Sequence, residues 1–181
     1  MKKVLTQLKK IQNNRPIRIV FICTANCCRS PLAEILFENL LKNEIKLFNK
    51  NFDEKFIIES AGTDYSGFRI SDKTALLLVE EEKIAPERCS SHLGRSITEI
   101  EEPDLVLTMT YQHTKDILNR IPYWKDRVFV LDDFVKIDSG RMPKDIIDPA
   151  GCPIASYRKM KDHIKKDLLI LLKLIKAEGL I

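Results

Sequence analysis

The stretch IRIVFICTANCCRSP, residues 17–31, joins the pattern of a buried strand to the start of a helix. Residues 17–22 are β-branched or apolar except for Arg18, which is typical of a central parallel strand covered on both faces. Ser30 and Pro31 supply a helix N-cap and a proline at the first helical position. We therefore predict a strand, a tight loop that contains three cysteines, and a helix.

The rest of the chain alternates between strand patterns and helical periodicity. The predicted strands cover residues 17–22, 55–59, 105–109 and 128–131, and the predicted helices cover residues 31–43, 74–84, 111–120 and 155–176. Strands separated by helices favour a parallel sheet with right-handed crossovers. We expect a single α/β domain with a four-stranded parallel sheet flanked by helices. Such sheets bind ligands at the carboxyl ends of their strands, which is where the cysteine loop follows strand 1.

Length and composition fit one domain with a basic extension. With 181 residues and 44% hydrophobic content, the chain can bury the core of one domain, which we place at residues 17–181. Residues 1–16 contain lysine and arginine but no acid, and we interpret them as a solvated extension rather than a docking arm. No apolar segment of signal-peptide length follows the lysines.

Charge and cysteine content narrow the class of partner and the compartment. The net charge of +4 does not by itself imply nucleic acid binding. The apolar run near the C-terminus is interrupted by Lys173 and Lys176, which argues against a transmembrane helix. Five cysteines without a secretory context favour the reducing cytoplasm. We expect a cytoplasmic protein that binds neither nucleic acid nor membrane, and its oligomeric state stays open.

The loop combines a nucleophile with an anion-binding residue. Cys23 and Arg29 stand six positions apart, between a strand end and a helix N-terminus. Such a loop can turn its N–H groups inward, and the helix dipole then favours an anion and the thiolate form of cysteine. The guanidinium of Arg29 can hold two oxygens of a tetrahedral oxyanion. These groups suit an attack of sulfur on phosphorus.

A zinc site is a second interpretation of the cysteines. Cys23, Cys27 and Cys28 could supply thiolate ligands. Two of them are adjacent, however, and no Cys-x-x-C motif or histidine pair lies nearby, which disfavours tetrahedral coordination.

Segments throughout the domain resemble one known family. The segment CTANCCRSP resembles the phosphate-binding loop of the low-molecular-weight protein tyrosine phosphatases, C-x-G-N-x-C-R-S-P. Four further segments resemble that family in the same order: IESAGTDYSG, CSSHLGRSIT, PDLVLTMTYQH and IIDPAGCPIASYRKM. The resemblance extends from about Ile17 to Ile175 and leaves the first sixteen residues outside it.

The resemblance implies a metal-independent reaction without a cofactor, on a phosphorylated protein substrate. It implies that Cys23 is the nucleophile and forms a phosphocysteine intermediate. Arg29 would bind the phosphate oxygens, and Asp148 would protonate the leaving group and then activate water.

The resemblance also implies binding and supporting residues. The backbone of the loop would surround the phosphate, through Thr24, Ala25, Asn26, Cys27, Cys28 and Arg29. Tyr65 would form a wall of the substrate cleft, and Ser30, Ser60 and His92 would support the loop. Ser30 would also donate to the thiolate. We interpret His113 and His163, which lie in helical patterns, as structural, and we assign no role to Cys89 and Cys152.

Protein phosphotyrosine is the substrate that the resemblance implies first, with phosphoarginine as the alternative. The segments LTMTYQH and DPAGCPIASYRKMKD are most similar to the bacterial branch that contains protein arginine phosphatases. That branch has threonine at the position of Cys27. Ala150-Gly151 replaces the aromatic residue that is common after Asp148-Pro149, and Ala25 replaces the glycine of the loop.

The same loop allows a redox role for Cys28 and two alternative functions. The resemblance implies that Cys28 can form a reversible disulfide with Cys23. An arsenate reductase would share the loop, but the thioredoxin-coupled relatives have a further closely spaced cysteine pair that this chain lacks. A non-catalytic oxyanion-binding domain is the remaining alternative.

Overall fold

Four parallel strands form one sheet in the order β2-β1-β3-β4. The computed structural model describes residues 2–46, 51–136 and 144–181. The strands are β1 (Ile17–Cys23), β2 (Phe56–Gly62), β3 (Leu105–Thr108) and β4 (Val128–Val130). The predicted α/β fold with a four-stranded parallel sheet is confirmed.

The helices flank this sheet. They are α1 (Lys2–Gln12), α2 (Arg29–Lys46), α3 (Asp72–Glu80), α4 (Pro86–Ser90), α5 (Tyr111–Arg120), α6 (Leu131–Lys136) and α7 (Ile154–Ala177), with short 3₁₀ turns at Ile97–Glu99 and Pro122–Trp124. The structure has α5 at its predicted bounds and α7 within one residue of its predicted ends. The sequence pattern did not predict α4 and α6, because five or six residues are too few to show a helical period.

Both faces of β1 are covered. Ile19 and Phe21 pack into the main core, with apolar residues of α2 and α7. Val20 and Ile22 point to the other face, where they pack with Ile117 of α5 and its neighbours. This two-sided burial explains why the segment is apolar without alternation.

The described residues 2–16 do not form a solvated extension. Leu5 and Leu8 on α1 are each only 1% exposed and belong to the main core. Beyond the helix, Arg15 donates to both carboxylate oxygens of Asp104, at 2.7 Å each, and the backbone N–H of Arg18 donates to the same carboxylate. The expectation of a solvated segment is wrong because one face of α1 is apolar. The boundary between residues 16 and 17 stays a prediction.

The longest described helix, α7, buries one stripe against the core. Tyr157, Met160, Ile164, Leu168 and Leu171 lie on this stripe, as their spacing predicts. In the part of the chain that the structure describes, no helix combines the length and the apolar character needed to cross a bilayer.

The strand order places a crevice at one end of β1 and β3. The chain passes from β1 to β2 on one side and then returns to form β3 on the other side of β1. The order reverses between β1 and β3, and ligands of open α/β sheets bind outside the carboxyl ends of such strands. Residues 24–28 and residues 109–113 leave the sheet at this point.

Candidate active site

Residues 24–28 form a loop between the end of β1 and the first residue of α2. The backbone N–H groups of Thr63 and Asp64 donate to the carbonyls of Cys23 and Thr24, at 2.9 Å each. The N–H of Ser71 donates to the carbonyl of Cys27 at 2.8 Å. In a trans peptide the N–H points away from the carbonyl, so the N–H groups that follow these carbonyls face the opposite side. That side, at the positive end of α2, can accept an anion.

Gly62 allows the loop to approach β2 closely. A Cβ atom at this position would lie 2.5 Å from the carbonyl oxygen of Thr24 and 3.2 Å from backbone atoms of Ala25 and Asn26. Gly62 is the register partner of Cys23 on β1. A side chain at position 62 would therefore push the loop away from the sheet.

Asn26 adopts the left-handed backbone conformation, with φ of 51°. Asparagine tolerates this conformation better than most residues. Among the described non-glycine residues only Asn26 and Lys83 have a positive φ, so Ala25 adopts an ordinary backbone conformation. Alanine in place of the usual glycine at position 25 therefore causes no backbone strain.

The side chain of Asn26 connects the loop to the Cys23 sulfur. Its amide nitrogen donates to Ser30 Oγ at 2.9 Å and to Ser60 Oγ at 2.8 Å, and its oxygen accepts the backbone N–H of Arg95 at 3.0 Å. Ser30 Oγ lies 3.0 Å from Cys23 Sγ. Ser30 accepts from Asn26, and its own hydrogen can go to the sulfur or to the carbonyl of Ala61, which lies 3.4 Å away. Ser30 can therefore stabilise a thiolate at Cys23.

A buried ionic group lies behind this connection. Ser60 Oγ donates to Glu34 at 2.6 Å, and His92 Nε2 lies 3.2 Å from both Ser60 Oγ and Glu34 Oε2. Arg88 donates to Glu34 at 2.6 Å and also pairs with Glu38. Burial alone would raise the pKa of Glu34, but the bonds from His92, Ser60 and Arg88 outweigh it and hold that pKa below its ordinary value. A carboxylate ion therefore lies at the base of the loop.

Arg29 and Asp148 pair at the mouth of the loop. Arg29 Nη2 donates to Asp148 Oδ2 at 2.5 Å, and Arg29 Nη1 donates to the carbonyl of Ile146 at 3.3 Å. Arg29 is 5% exposed, whereas the side chain of Asp148 is 49% exposed. The backbone N–H of Ala150 donates to Asp148 Oδ1 at 3.0 Å. The cation is thus fixed in the protein, and the carboxylate faces solvent.

A second buried histidine contacts the opposite side of the loop. His113 Nε2 lies 2.9 Å from Thr24 Oγ1, and His113 Nδ1 lies 2.9 Å from Thr110 Oγ1. Arg29 Nη2 also donates to Thr24 Oγ1, at 3.4 Å. Burial, and then the positive charge of Arg29, lower the pKa of His113 to about 4. The ring is therefore neutral near pH 7.

Cys27 and Cys28 are directly in contact, with 3.5 Å between their sulfurs. Cys28 Sγ also lies 3.4 Å from Ser71 Oγ and 3.8 Å from the hydroxyl of Tyr157. The hydrogen bond from Cys27 outweighs burial and, with the hydroxyl contacts, lowers the pKa of Cys28 to about 6. The same contact, followed by burial, raises the pKa of Cys27. Of these two thiols, Cys28 is therefore the one that loses its proton more readily.

Elsewhere, His163 belongs to a group of possible metal ligands with Asp132 and Asp167. His163 Nε2 lies 2.6 Å from Asp132 Oδ1, and Lys136 forms ion pairs with both carboxylates. The ammonium group of Lys136 thus already supplies positive charge to these buried acids.

Comparison with known proteins decides the family. The model of the family described as low molecular weight phosphotyrosine protein phosphatase matches residues 18–180. The chain belongs to this family. A protein-arginine-phosphatase of Bacillus subtilis is 33% identical over 160 residues, which cover 88% of this chain and 97% of that protein. The low molecular weight protein-tyrosine-phosphatase PtpB of Staphylococcus aureus is 29% identical over 161 residues, with the same two shares.

A solved structure supports the same assignment. The YwlE arginine phosphatase from Geobacillus stearothermophilus has a TM-score of 0.71 and 30% sequence identity, and the match covers 91% of this chain and 96% of that one. The resemblance to the low-molecular-weight phosphatases is therefore confirmed, with a fold shared over nearly the whole chain.

The structure brings most of the residues predicted from the phosphatase resemblance together. Arg29 pairs with Asp148, and Ser30, Asn26, Ser60 and His92 form one hydrogen-bonded group that reaches the sulfur of Cys23. Tyr65 is half-buried and packs on Gly94, where a Cβ atom would lie 2.6 Å from the tyrosine ring. No contact places Tyr65 in the cleft wall, and this role stays a prediction.

Sequence reasoning missed four residues of this phosphatase site. They are Glu34, Gly62, Arg88 and His113. Glu34 lies one turn after Ser30 on α2, so an acid on the buried face of that helix was an available signal. His113 was interpreted as structural, although it follows strand 3 at the end of the sheet where ligands bind.

Proposed function

We propose that this protein is a phosphatase that hydrolyses phosphotyrosine in proteins through a phosphocysteine intermediate. The observation that supports this most directly is the arrangement of Cys23 at the end of β1, with Ser30 Oγ 3.0 Å from its sulfur and the Arg29–Asp148 pair at the mouth of the loop. A nucleophile, an anion-binding cation and a proton donor then lie around one site.

In the first step the sulfur of Cys23 attacks phosphorus. The S–P bond forms as the P–O bond to the tyrosine breaks, and the charge of the transferring group is stabilised by Arg29 and the inward N–H groups. Asp148, in its protonated form, gives its proton to the departing phenolate. Its exposed side chain can exchange its bond to Arg29 for a contact with the leaving group.

In the second step water attacks the phosphocysteine. Asp148, now a carboxylate, takes a proton from the water, and the S–P bond breaks as inorganic phosphate forms. The leaving group is the Cys23 thiolate, which accepts the hydrogen of Ser30. No step needs a metal ion.

Phosphoarginine is a second candidate substrate, favoured by two observations. Relatives named protein-arginine-phosphatase reach 33% identity over most of the chain. In addition, Ala150 and Gly151 follow Asp148-Pro149, so no aromatic side chain is present there to flank a tyrosine ring. Cys27 is half-buried beside Cys28 in the loop, and its size would help to select between the two substrates.

The test of the activity is hydrolysis of an aryl phosphate between mildly acidic and neutral pH. Cys23→Ser should abolish turnover, and Asp148→Asn should slow it most for substrates with poor leaving groups. Normal turnover by the Cys23→Ser protein would contradict the mechanism. Oxyanion binding without any turnover by the unmodified protein would support a non-catalytic domain, and arsenate-dependent thiol oxidation would support an arsenate reductase.

The test of the substrate is parallel kinetics on a phosphotyrosine peptide and the matching phosphoarginine peptide. Cys27→Ile and Cys27→Thr form a matched pair, because both are β-branched and differ in a hydroxyl and in size. We expect the isoleucine variant to favour phosphotyrosine and the threonine variant to favour phosphoarginine. An unchanged preference in both variants would show that position 27 does not select the substrate.

We also propose that the protein is cytoplasmic and that Cys28 protects the nucleophile from over-oxidation. A hydroperoxide would oxidise the Cys23 thiolate to a sulfenic acid, and the Cys28 thiolate would then displace hydroxide and form a disulfide. Its lowered pKa supports this reaction. After peroxide and then a dithiol, activity should recover in the unmodified protein and fail to recover in Cys28→Ala. Cys27→Ser, which leaves Cys28 in place, is the control.

A further inference from the structure

We propose that His113 is a positioning residue for phosphate binding: through the hydroxyl of Thr24 it holds the guanidinium of Arg29 in place when Asp148 leaves it. This inference rests on the proposed function, because it concerns the state in which Asp148 contacts the leaving group. It gives a functional role to a histidine that we interpreted as structural from its helical sequence pattern.

Both nitrogens of the His113 ring have threonine partners. Nε2 lies 2.9 Å from Thr24 Oγ1 in the loop, and Nδ1 lies 2.9 Å from Thr110 Oγ1, which also caps α5 by accepting the backbone N–H of His113. The ring is 4% exposed. It therefore connects the first residue after β1 with the start of α5, across the switch point of the sheet.

The hydrogens of this chain can be arranged in two ways. Thr24 can donate to Nε2 while Nδ1–H donates to Thr110, or Thr110 can donate to Nδ1 while Nε2–H donates to Thr24. In either arrangement Thr24 Oγ1 keeps a lone pair for the N–H of Arg29, which lies 3.4 Å away. The position of Thr24 is thus fixed without losing its role as an acceptor.

Arg29 needs this acceptor once Asp148 has left. Nη2 then loses its 2.5 Å bond to Asp148, and the acceptor that remains for that nitrogen among the contacts described above is Thr24 Oγ1. Nη1 keeps the carbonyl of Ile146 at 3.3 Å. One protein acceptor on each terminal nitrogen would hold the plane of the guanidinium while its other N–H groups bind phosphate.

The neutral charge of the ring fits this role. Burial and the nearby Arg29 disfavour an imidazolium, which would place a second cation beside the guanidinium. Asp116, Asp145 and Asp148 act in the opposite direction but do not outweigh these two effects. A neutral ring can fix Thr24 without repelling Arg29.

Two amide substitutions separate this role from a structural one. In His113→Gln the amide nitrogen can occupy the place of Nε2 and restore the contact with Thr24. In His113→Asn the amide lies near the place of Nδ1 and can reach only Thr110. The probe is inorganic phosphate, and its affinity is measured by calorimetry, with unfolding midpoints recorded for each variant.

We expect phosphate affinity within about twofold of the unmodified protein for His113→Gln and a loss of about tenfold for His113→Asn. Thr24→Val, at an exposed position that should not disturb folding, should lose about as much, and adding His113→Asn to it should cost little more. Equal affinities for the two amide variants, or additive losses in the double variant, would overturn the proposal.

The binding measurement does not depend on turnover. If the unmodified protein bound phosphate but hydrolysed nothing, the proposed function would fail while the role of His113 was still decided by the variants. If the histidine variants did not fold, Thr24→Val alone would decide the matter, because phosphate affinity equal to that of the unmodified protein would exclude the Thr24 link.

Discussion

Two buried histidines lie on opposite sides of the loop formed by residues 24–28, and their surroundings differ in charge. His92 is 5% exposed and contacts the carboxylate of Glu34, which pairs with Arg88. His113 is 4% exposed and contacts only threonine hydroxyls through its ring nitrogens, with the cation of Arg29 nearby. The first side is ionic, and the second is polar but neutral.

The two sides of the loop also hold different groups, the Cys23 sulfur on the His92 side and the Arg29 guanidinium on the His113 side. On the His92 side, hydrogen bonds lead from Ser30 through Asn26 and Ser60 to Glu34, and each hydrogen can point so that Ser30 donates to the Cys23 sulfur. On the His113 side the group that is held is the guanidinium of Arg29. A fixed carboxylate there would compete with phosphate. The comparison teaches that the carboxylate behind the nucleophile is buried and fixed, whereas the carboxylate beside Arg29, on Asp148, is exposed and can leave.

The largest loss of stability should come from removing the hydrogen bonds of Asn26, on the His92 side of the loop. Asn26→Ala removes three hydrogen bonds and leaves an alanine at a φ of 51°. We expect a loss of about 4 kcal/mol in the free energy of unfolding. Asn26→Gly removes the same bonds but tolerates the φ angle, and it should be about 1 kcal/mol more stable than Asn26→Ala. Urea denaturation measures both, and equal losses would show that backbone strain contributes nothing.

The next effect concerns the buried ion itself. Glu34→Gln leaves Arg88 with one carboxylate partner and removes the anion that His92 contacts, so we expect a loss of about 3 kcal/mol. Glu38→Gln removes the other partner of Arg88 at a more exposed position and should cost below about 1 kcal/mol. Chemical denaturation of the two variants tests this, and a similar loss in both would mean that the His92 side gains nothing from burial of its charge.

A smaller effect is expected where β2 meets the Thr24 side of the loop. Gly62→Ala would place a methyl group 2.5 Å from the carbonyl of Thr24 and displace the loop, at a cost of about 2 kcal/mol in stability and a clear loss of phosphate affinity. Gly67→Ala is the control, because its Cβ would meet no atom within 4 Å while its φ of 84° still disfavours alanine. If calorimetry showed the same phosphate affinity for both variants, the close approach of Gly62 would not shape the loop.

The smallest effect is the pH dependence of the unfolding free energy that comes from His113. Burial and Arg29 give folded His113 a pKa of about 4, below the ordinary value of 6.5. As the pH falls, the unfolded chain binds this proton first, so the stability that depends on neutral His113 is complete above pH 6.5 and is lost as the pH falls towards 4. Between pH 6.5 and 5 this loss should be about 1.5 kcal/mol.

Paired urea titrations at pH 6.5 and 5 check this value. The His113→Gln variant, which cannot bind the proton, should lose less stability than the unmodified protein over the same interval. If both proteins lost the same unfolding free energy between pH 6.5 and 5, the pKa of His113 would not differ between the folded and unfolded states.

The parts of the site that lie close together in sequence could be predicted, and those that depend on strand order could not. Cys23, Arg29 and Ser30 belong to one strand–loop–helix unit whose local pattern determines their arrangement. Asp148 was accessible only through the family resemblance. Helical periodicity predicted α5 but not that its start lies beside the loop, because periodicity does not say which strands are neighbours.

The missed helix α1 shows a different reason. It has four lysines, as many as its apolar residues, and no acid, and composition suggested a solvated segment. Leu5 and Leu8 are enough to place one face in the core once β1 offers an apolar surface. A count of charges therefore misjudged a short helix whose stability comes from tertiary packing.

The packing of α1 also places its C-terminal end far from the loop formed by residues 24–28. Its end is tied to the amino ends of two strands, since Gln12 donates to the carbonyl of Lys55 before β2 and Arg15 pairs with Asp104 before β3. The seven-residue strand β1 separates this end from the loop by roughly 20 Å. A tether attached at the exposed residues 13–14, which follow α1, could therefore hold the protein on a bead or a sensor surface with the loop directed outward, towards the bulk solution.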